Sequence, residues 1–373
     1  MRNKVVLLRS RATDSCAFKI AETLSERYEV ILIVWNRSLE KIEIKSNYKL
    51  FLFNLKAPYD NIKVLMFIPL WLVYQYIMLI RIKPDIVHSF DIDTLLPAIF
   101  YKIIKSKKLV YTILDFYADT LVYAPKFIKN ILSLLEKSLL RFCDAVIIVD
   151  PSRYSQIKGA PIRELGIIYN TPPDIVGKNE FFIGLQKTNS MEFVIFYAGN
   201  LHRERNLIRI IKAILTLDNT RFIIAGRGEL ENIIVKIAEK FRNKITYLGF
   251  ITYDEVLKKG LSADALVAFY DPNIPNNLHA SPNKLFEAMM LAKPIITNDG
   301  TLVAKFVKRF GIGLVVPYDD IAAIKKAFLL LRDNPNLVYL LGNNGRKLYE
   351  KFFSWNKMRE RLFNIYKSLL TES

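Results

Sequence analysis

Apolar and polar residues form two kinds of pattern along the first half of the chain. Short runs rich in β-branched residues predict strands, and longer amphipathic stretches predict helices. The predicted strands are Val5–Leu8, Val30–Trp35, Ile86–Ser89, Leu109–Leu114 and Ala145–Val149. The predicted helices are Phe18–Glu26, Thr94–Ile104 and Ile128–Phe142. Because strands alternate with helices, we expect a parallel sheet that is covered on both faces.

The same pattern restarts after a turn-rich break at Asn170–Asp174 and a polar stretch that extends to Met191. The second set of predicted strands is Phe193–Tyr197, Phe222–Ala225, Ile245–Leu248, Ala265–Phe269, Ile295–Thr297 and Leu314–Val316. No strand follows the helical pattern Trp355–Leu370, so we expect this helix to cross back to the first domain. The sequence therefore predicts two α/β domains, residues 1–169 with 352–373 and residues 170–351, with a central cleft.

Length and composition exclude several classes of protein. A chain of 373 residues suits two domains of ordinary size, and an apolar fraction of 51% excludes disorder. Cys16 and Cys143 are the only cysteines and lack metal-ligand spacing, which favours a reducing compartment and no zinc site.

The formal net charge of +18 requires a negatively charged partner, unless the base composition of the source genome explains part of it. Basic segments such as Lys102–Lys108 lack interleaved aromatic residues, so we expect no nucleic-acid partner. Val64–Ile80 is uncharged, and we interpret it as a helix on the sheet with one face available to lipid. With no secretory signal at its start, the chain is expected to be cytoplasmic and peripheral on the inner, anionic face of the plasma membrane.

Ser281–Thr297 is the most informative motif. Asn283, Lys284 and Glu287 form a polar cluster at the opening of an apolar helix, Leu285–Leu291. Amide donors at a helix start, with a lysine beside them and a carboxylate one turn on, suit a ligand that carries phosphates and a ribose. The motif therefore predicts a nucleotide site.

Two glycine-containing loops follow predicted strands of the second domain. Gly199 lets the backbone approach a ligand closely, and Arg203 and Arg205 stand at the next helix start, where they could hold a diphosphate. A solvated arginine pair is the alternative. Gly226 and Gly228 lack the third glycine of a dinucleotide fingerprint, so they indicate a turn beside a nucleotide or a purely structural turn.

His88, Asp91 and Asp93 are the candidate polar residues of the first domain. The two aspartates have the spacing of a metal-binding Asp-x-Asp, but they begin a predicted helix, and capping is the preferred interpretation for at least Asp93. His88 stands at the carboxyl end of a strand, where α/β proteins place ligands. A structural histidine is the alternative.

With these segments, the chain resembles the retaining glycosyltransferases of family 4, or glycosyl transferases group 1, which have the GT-B fold of two Rossmann-like domains. The strongest part of the resemblance extends from Gly249 to Met289. It also rests on Gly199, Arg205, Gly226, Gly228, Pro84–His88, Asn170 and Phe353–Trp355, so it covers nearly the whole chain.

The resemblance implies that the second domain binds a nucleotide sugar and that the first binds the acceptor. The implied donor-binding residues are Gly199, Arg203, Arg205, Gly226, Gly228, Tyr253, Ser281, Pro282, Asn283, Lys284 and Glu287. The implied acceptor-binding residues are Arg11, Asp14, His88 and Asp91. The implied catalytic residues are His88, Arg205, Lys284 and Glu287.

The resemblance also implies a mechanism without a metal ion or other cofactor. Fixed positive groups stabilise the departing nucleoside diphosphate, and the acceptor attacks from the same face, so configuration is retained. Two residues depart from the family pattern. His279 replaces the first glutamate of the acidic pair that ends at Glu287, and Phe90 replaces the second histidine of a His-x-His stretch.

We therefore expect a hexosyltransferase that moves a sugar from a UDP- or GDP-sugar to a glycan or lipid-linked acceptor at the cytoplasmic membrane face. A GT-B-type sugar-nucleotide epimerase is one alternative. A non-catalytic nucleotide-sugar-binding subunit is the other, and the missing first glutamate favours it.

Overall fold

The structure, a computed structural model, describes residues 2–12, 15–39, 47–58, 62–120, 125–177, 192–278 and 282–371. The chain divides into two compact units. The first comprises Met1–Tyr169 and Met358–Ser373, and the second comprises Asn170–Lys357. Each unit is built on one parallel sheet, which confirms the predicted class of two Rossmann-like α/β domains.

A seven-stranded parallel sheet forms the centre of the first unit. Its strands are β1 (Lys4–Arg9), β2 (Glu29–Trp35), β3 (Lys49–Phe53), β4 (Ile86–Phe90), β5 (Lys108–Ile113), β6 (Ala145–Ile148) and β7 (Glu164–Ile167). They are arranged in the order β3-β2-β1-β4-β5-β6-β7. The order reverses between β1 and β4, and the carboxyl ends at such a switch point are where open α/β sheets bind ligands.

Helices cover both faces of this sheet. They are α1 (Ser15–Ser25), α2 (Ile68–Ile82), α3 (Ile92–Lys105), α4 (Tyr117–Thr120), α5 (Lys126–Leu139) and α6 (Tyr154–Ile157), with 3-10 turns at Ile62–Met66, Leu140–Phe142 and Pro151–Arg153. Trp71 of α2, Leu95 of α3 and Leu140 after α5 share one buried cluster with Leu8 and Tyr111 of the sheet. These three helices therefore lie on the same face.

The second unit contains a six-stranded parallel sheet in which the strand order also reverses once. Its strands are β8 (Phe193–Ala198), β9 (Thr220–Ala225), β10 (Ile245–Tyr247), β11 (Ala265–Ala268), β12 (Ile295–Asn298) and β13 (Gly313–Val316). They are arranged in the order β10-β9-β8-β11-β12-β13, so the switch point lies between β8 and β11.

Helices follow nearly every strand of the second unit. They are α7 (Leu207–Leu215), α8 (Glu231–Lys240), α9 (Tyr253–Ser262), α10 (Pro275–Leu278), α11 (Asn283–Met290), α12 (Leu302–Phe310), α13 (Ile321–Arg332) and α14 (Pro335–Leu348), with a 3-10 turn at Arg203–Arg205 and a π turn at Tyr349–Phe353. A final helix, α15 (Trp355–Thr371), belongs to the first unit from Met358 onward.

Every strand predicted from the sequence is present, with bounds that differ by one or two residues at most. The two edge strands of the first sheet, β3 and β7, are not predicted. Residues 50–53 of β3 are all apolar, although each residue of the strand is at best half-buried. The interior of β7 contains Gly166, which weakens a strand pattern. A Cβ atom there would overlap Ile365 of α15, so close packing of this helix explains the glycine.

The prediction of one helix over Val64–Ile80 is wrong in its bounds. The segment is a 3-10 turn followed by α2, which begins at Ile68 and has Pro69 in its first turn. Proline is tolerated in the first turn because those amides have no partner within the helix. None of the helices in the described part of the chain is long and apolar enough to cross a membrane.

Candidate functional site

Lys284 lies in the first turn of α11 and extends to the loop after β8. The N-cap position of α11 is Pro282, and no side chain caps the amides of this helix start. Gly199 follows β8, and a Cβ atom at this position would lie 2.5 Å from Lys284 Nζ. Gly199 therefore leaves the space that the ammonium group needs. The sequence analysis singled out both residues, and the structure places them together.

Aromatic rings flank the two cations of this site. Lys284 Nζ lies 5.0 Å from the ring centroid of Tyr197, and Arg205 Cζ lies 4.5 Å from that of Tyr270. Both distances suit cation–π interactions. Neither tyrosine is among the site residues predicted from the sequence, although Tyr197 is near the end of β8 and Tyr270 follows β11, at the switch point of the sheet.

Arg205 is mostly enclosed by the protein. Its side chain is 16% exposed and pairs with Glu204 at 3.2 Å. Its Nη1 atom is buried and has no hydrogen-bond partner in the described structure. A buried donor without an acceptor is costly, and an anionic ligand would supply the missing acceptor.

Arg203, unlike Arg205, is not enclosed by the protein. Its side chain is 81% exposed, and Nε lies 3.7 Å from Glu229 Oε2. Its backbone amide donates to Glu229 Oε1 at 2.7 Å. The predicted diphosphate clamp of two arginines thus has one enclosed member, Arg205, while Arg203 lies in a solvated ion pair in this arrangement.

Glu287 lies one turn after Lys284 and faces Tyr253. Glu287 is buried, with only 6% of the residue exposed. The Tyr253 hydroxyl donates to Glu287 Oε1 at 3.1 Å. Burial, together with the charge of Glu287, raises the pKa of Tyr253 well above its usual value, so this phenol stays protonated and keeps donating. The contact fixes the orientation of the carboxylate.

Lys284, Arg205 and Glu287 influence one another electrostatically. Burial and, to a smaller extent, the positive charge of Arg205 lower the pKa of Lys284 from 10.5 to about 8, and the charge of Glu287 opposes the shift. Two cations in this place therefore destabilise each other until an anion joins them. Such an arrangement suits the binding of an anionic group such as a diphosphate.

Gly226 and Gly228 allow two loops to pack against each other and do not line a ligand-sized space. Their φ angles are +131° and +154°, which glycine adopts readily. A Cβ atom on Gly226 would overlap the carbonyl oxygen of Gly199, and one on Gly228 would lie 2.8 Å from the backbone of Leu201. The loop after β9 therefore packs directly on the loop after β8, and the glycines keep Gly199 in place below Lys284.

Several predicted site residues carry no structural result. Asp14 and Ser281 lie outside the described residues, as does His279. Asn283 is the first residue of α11. The roles of these residues remain predictions.

His88 is buried inside the first unit. Its Nδ1 atom lies 2.8 Å from the hydroxyl of Tyr366 in α15, and Nε2 lies 2.6 Å from Thr112 Oγ1 in β5. Burial lowers the pKa of His88 to about 3, so the ring is neutral. Both ring nitrogens are used within the core, and this geometry favours the structural interpretation of His88 over the catalytic one.

Asp91 connects three loops at the switch point of the first sheet. Oδ2 pairs with Arg9 at the end of β1, and Oδ1 accepts from the amides of Leu114 at 3.0 Å and Asp115 at 3.3 Å. Burial raises the pKa of Asp91, and the charge of Arg9 opposes that shift. Arg9 is not among the site residues predicted from the sequence. Arg11, the other predicted basic contact of this region, is exposed.

The preferred interpretation, that at least Asp93 caps the helix, is wrong for Asp93. Asp91 occupies the N-cap position of α3 but its side chain makes no capping bond, and Asp93 lies within the first turn. The backbone of Asp91 has φ of +60°, and ψ of 168°, a conformation that is costly for a residue with a side chain. Strain of this kind persists where the surroundings over-determine it, as the bonds to Arg9 and the two amides do here.

The family model of "Glycosyl transferases group 1" matches residues 179–348. An uncharacterized glycosyltransferase of Methanocaldococcus jannaschii is 26% identical over 229 residues, which cover 55% of this chain and 57% of that protein. The capsular polysaccharide biosynthesis glycosyltransferase CapM of Staphylococcus aureus is 30% identical over 190 residues, 48% of this chain and 47% of CapM. The chain thus spans about half the length of the curated relatives it matches.

Solved structures with the same architecture match nearly the entire chain. Sucrose-phosphate synthase from Thermosynechococcus elongatus has a TM-score of 0.79 at 15% identity and covers 100% of both chains. HepE of Anabaena in complex with UDP has a TM-score of 0.69 at 14% identity, over 98% of this chain and 100% of that one. The two parallel sheets agree with these matches. Residues 179–348 thus match the glycosyl transferases group 1 family, and the chain has the GT-B fold.

Proposed function

We propose that the protein transfers a hexose from a UDP- or GDP-sugar to a glycan or lipid-linked acceptor, with retention of configuration. The observation that carries this proposal is the convergence of Lys284 and Arg205 beside the buried carboxylate of Glu287. Two enclosed cations fit a diphosphate, and a carboxylate one helical turn away fits the hydroxyls of a ribose. The UDP found in the HepE structure supports a nucleotide ligand for this fold.

The same two positive groups, Lys284 and Arg205, would also take part in the reaction. As the sugar separates from the nucleoside diphosphate, negative charge develops on the departing phosphate. Lys284 and Arg205 are held in place before the reaction by the rings of Tyr197 and Tyr270, so they stabilise that charge without reorganising. We propose that this charge stabilisation replaces a metal ion.

The acceptor side of the proposal rests on the first unit. Asp91 and Arg9 lie at the switch point of its sheet, where ligands bind in open α/β folds. We retain Arg11, Asp14 and Asp91 as acceptor-binding candidates, and we assign His88 a structural role because both of its ring nitrogens are occupied. The polysaccharide biosynthesis named for CapM supports a growing glycan as the acceptor.

We also propose that the protein works in the cytoplasm, peripheral on the inner face of the plasma membrane. The net charge of +18 supports attraction to the anionic lipids of that leaflet. A lipid-linked acceptor would be reached there without a spanning helix.

Nucleotide binding and sugar transfer test the central proposal. Arg205→Ala and Glu287→Ala should each weaken UDP or GDP binding by tenfold or more, since each removes an enclosed charged contact. Arg242→Ala is the matched control, because Arg242 is an exposed arginine of the same unit. Unchanged nucleotide affinity in both site variants would refute the assignment.

A panel of UDP- and GDP-sugars, with and without acceptor, separates the alternatives. Release of the nucleotide with growth of the acceptor identifies a transferase. Release without acceptor growth identifies an epimerase, and binding without release identifies a non-catalytic subunit. The last outcome is favoured by His279, which replaces the first glutamate of the family pair.

A further inference from the structure

Three helices of the first unit expose apolar side chains on one shared face. The chain crosses the sheet in the same direction through α2, α3 and α5, and right-handed crossovers place such helices on the same side. Helices α2 and α3 pack against each other. In the described ranges, more than half of the large apolar side chains that are exposed belong to these helices or to the turn before α2. Such a concentration marks an interaction surface rather than scattered surface residues.

Helix α5 has its more apolar side turned away from the protein. Phe127, Ile131, Leu134 and Leu135 are 64%, 60%, 68% and 48% exposed. Their spacing of four, three and one residues forms a stripe along one side of the helix. An amphipathic helix on a soluble domain normally turns this stripe toward the core. Helix α5 does the reverse.

Glu136 lies on the inner side of α5 and is its one fully buried residue. Oε1 accepts from the hydroxyl of Tyr111 in β5 at 3.0 Å, and Oε2 accepts from the amide of Tyr117 in α4 at 3.2 Å. Burial raises the pKa of Glu136 to about 8, which those two hydrogen bonds oppose. Polar bonds therefore attach α5 to the unit, together with the partly buried Leu132 and Leu139.

The neighbouring helices continue the apolar surface. Phe100 and Ile103 of α3 are 59% and 57% exposed, and Val73 and Ile77 of α2 are 57% and 43% exposed. These residues also recur at three- and four-residue spacing, so each helix contributes a stripe parallel to its axis.

The charges around the three stripes are almost all positive. Helices α2, α3 and α5 contain only two acidic residues, Asp93 and Glu136. Glu136 is buried, and the Asp93 side chain is 21% exposed and lies 3.9 Å from Arg37. Basic residues in or beside the helices include Arg81, Lys105, Lys126 and Arg141. Apolar stripes bordered by lysine and arginine complement a bilayer with anionic headgroups.

We propose that α2, α3 and α5 form a lipid-binding face that rests on an anionic bilayer, and that Glu136 is a positioning residue that keeps the apolar stripe of α5 turned outward. This inference rests on the membrane association in the proposed function and is independent of the donor chemistry. It places the lipid contact on three helices rather than on Val64–Ile80 alone.

Vesicle flotation tests the face with a matched pair of variants. Ile131→Asp/Leu134→Asp changes the stripe of α5, and Ile233→Asp/Leu340→Asp changes two exposed apolar residues of the second unit. Both add the same charge. We expect the wild type and the second-unit variant to float with phosphatidylglycerol vesicles but not with phosphatidylcholine vesicles. The α5 variant should bind roughly a hundredfold more weakly, about tenfold for each side chain that enters the lipid. Equal binding by the two variants would overturn the proposal.

Light scattering of the lipid-free protein tests whether a second copy of the chain, and not lipid, covers the face formed by α2, α3 and α5. The proposal would also be overturned if the wild type is a dimer that does not bind vesicles and the α5 variant is a monomer. UDP affinity is measured on the same preparations. Unchanged UDP binding with lost flotation is the expected result for the α5 variant. Failure of every preparation to bind either UDP or GDP would count against the donor site and leave the lipid result intact.

Hydrogen exchange tests the role of Glu136. We expect Glu136→Ala to speed amide exchange within Lys126–Leu139 and to weaken vesicle binding, because the helix loses both polar attachments. Glu136→Gln retains an oxygen acceptor and should restore most of the protection and of the vesicle binding. Unchanged exchange and flotation in Glu136→Ala would refute the positioning role.

Discussion

Replacing Lys284 with methionine should stabilise the free protein and weaken its binding of nucleotide. Burial and the charge of Arg205 lower the pKa of Lys284 from 10.5 to about 8. The folded protein therefore holds this ammonium group at a cost, which a shift of that size places on the order of 3 kcal/mol at neutral pH. Methionine has a similar length and no charge, so it removes the cost and preserves the packing beside Gly199.

The pH dependence of this effect has a definite sign. Between pH 8 and 10.5, the unfolded chain retains the proton of Lys284 and the folded protein has lost it. Stability rises with pH wherever the unfolded state binds more protons, so the wild type gains stability from Lys284 across that window. The advantage of Lys284→Met should be complete below pH 8 and absent above pH 10.5.

Urea unfolding near neutral pH and above pH 10.5 measures both quantities. Lys258→Met, a change at an exposed lysine of α9, is the control and should alter stability by less than about 0.5 kcal/mol. Calorimetric titration with UDP should show at least about tenfold weaker binding for Lys284→Met, since a charge-assisted contact is lost. The reasoning would be refuted if Lys284→Met is no more stable than the wild type near neutral pH. It would also be refuted if the stability difference between the two proteins is the same at both pH values.

Three further substitutions test individual contacts in the two units. Tyr253→Phe should leave the fold unchanged and weaken UDP binding several-fold in calorimetry, because Glu287 loses the donor that orients it; inorganic diphosphate affinity should not change. Gly226→Ala should lower the free energy of unfolding in urea by roughly 3 kcal/mol, because the new Cβ overlaps the backbone of Gly199; an effect below about 1 kcal/mol would contradict the loop packing. Asp91→Asn should cost about 3 kcal/mol in the same assay because Arg9 stays buried without its counter-charge, whereas Glu29→Gln, which breaks an exposed pair with Lys49, should cost less than about 1 kcal/mol.

The site of the second unit could be read from sequence largely because its main members are close in the chain. Lys284 and Glu287 are one helical turn apart, so their common face follows from helix geometry alone. The rings that flank the cations could not be found in this way. Tyr197 and Tyr270 meet the site only through the pairing of β8 with β11, which local pattern does not specify.

The first unit shows the opposite case. A histidine at the end of a strand has the same sequence signature whether it binds a ligand or forms hydrogen bonds within the core. For His88 the structure favours the core, since its Nδ1 atom lies against Tyr366, 278 residues later in the chain. Arg9 was missed for a similar reason, because a basic residue that ends an apolar strand looks solvent-exposed until Asp91 is brought beside it.

Helix α5 shows what an amphipathic pattern can establish. The pattern fixes that the helix has an apolar side and a polar side, and the sequence analysis places a helix there correctly. It does not fix which side meets the sheet. That choice depends on the surface below, where Tyr111 and the amide of Tyr117 offer hydrogen-bond donors to the carboxyl group of Glu136. Glu136 satisfies those donors, and the apolar stripe is left for another surface. In α5, the buried Glu136 on the inner side is therefore the feature that accompanies the outward apolar stripe.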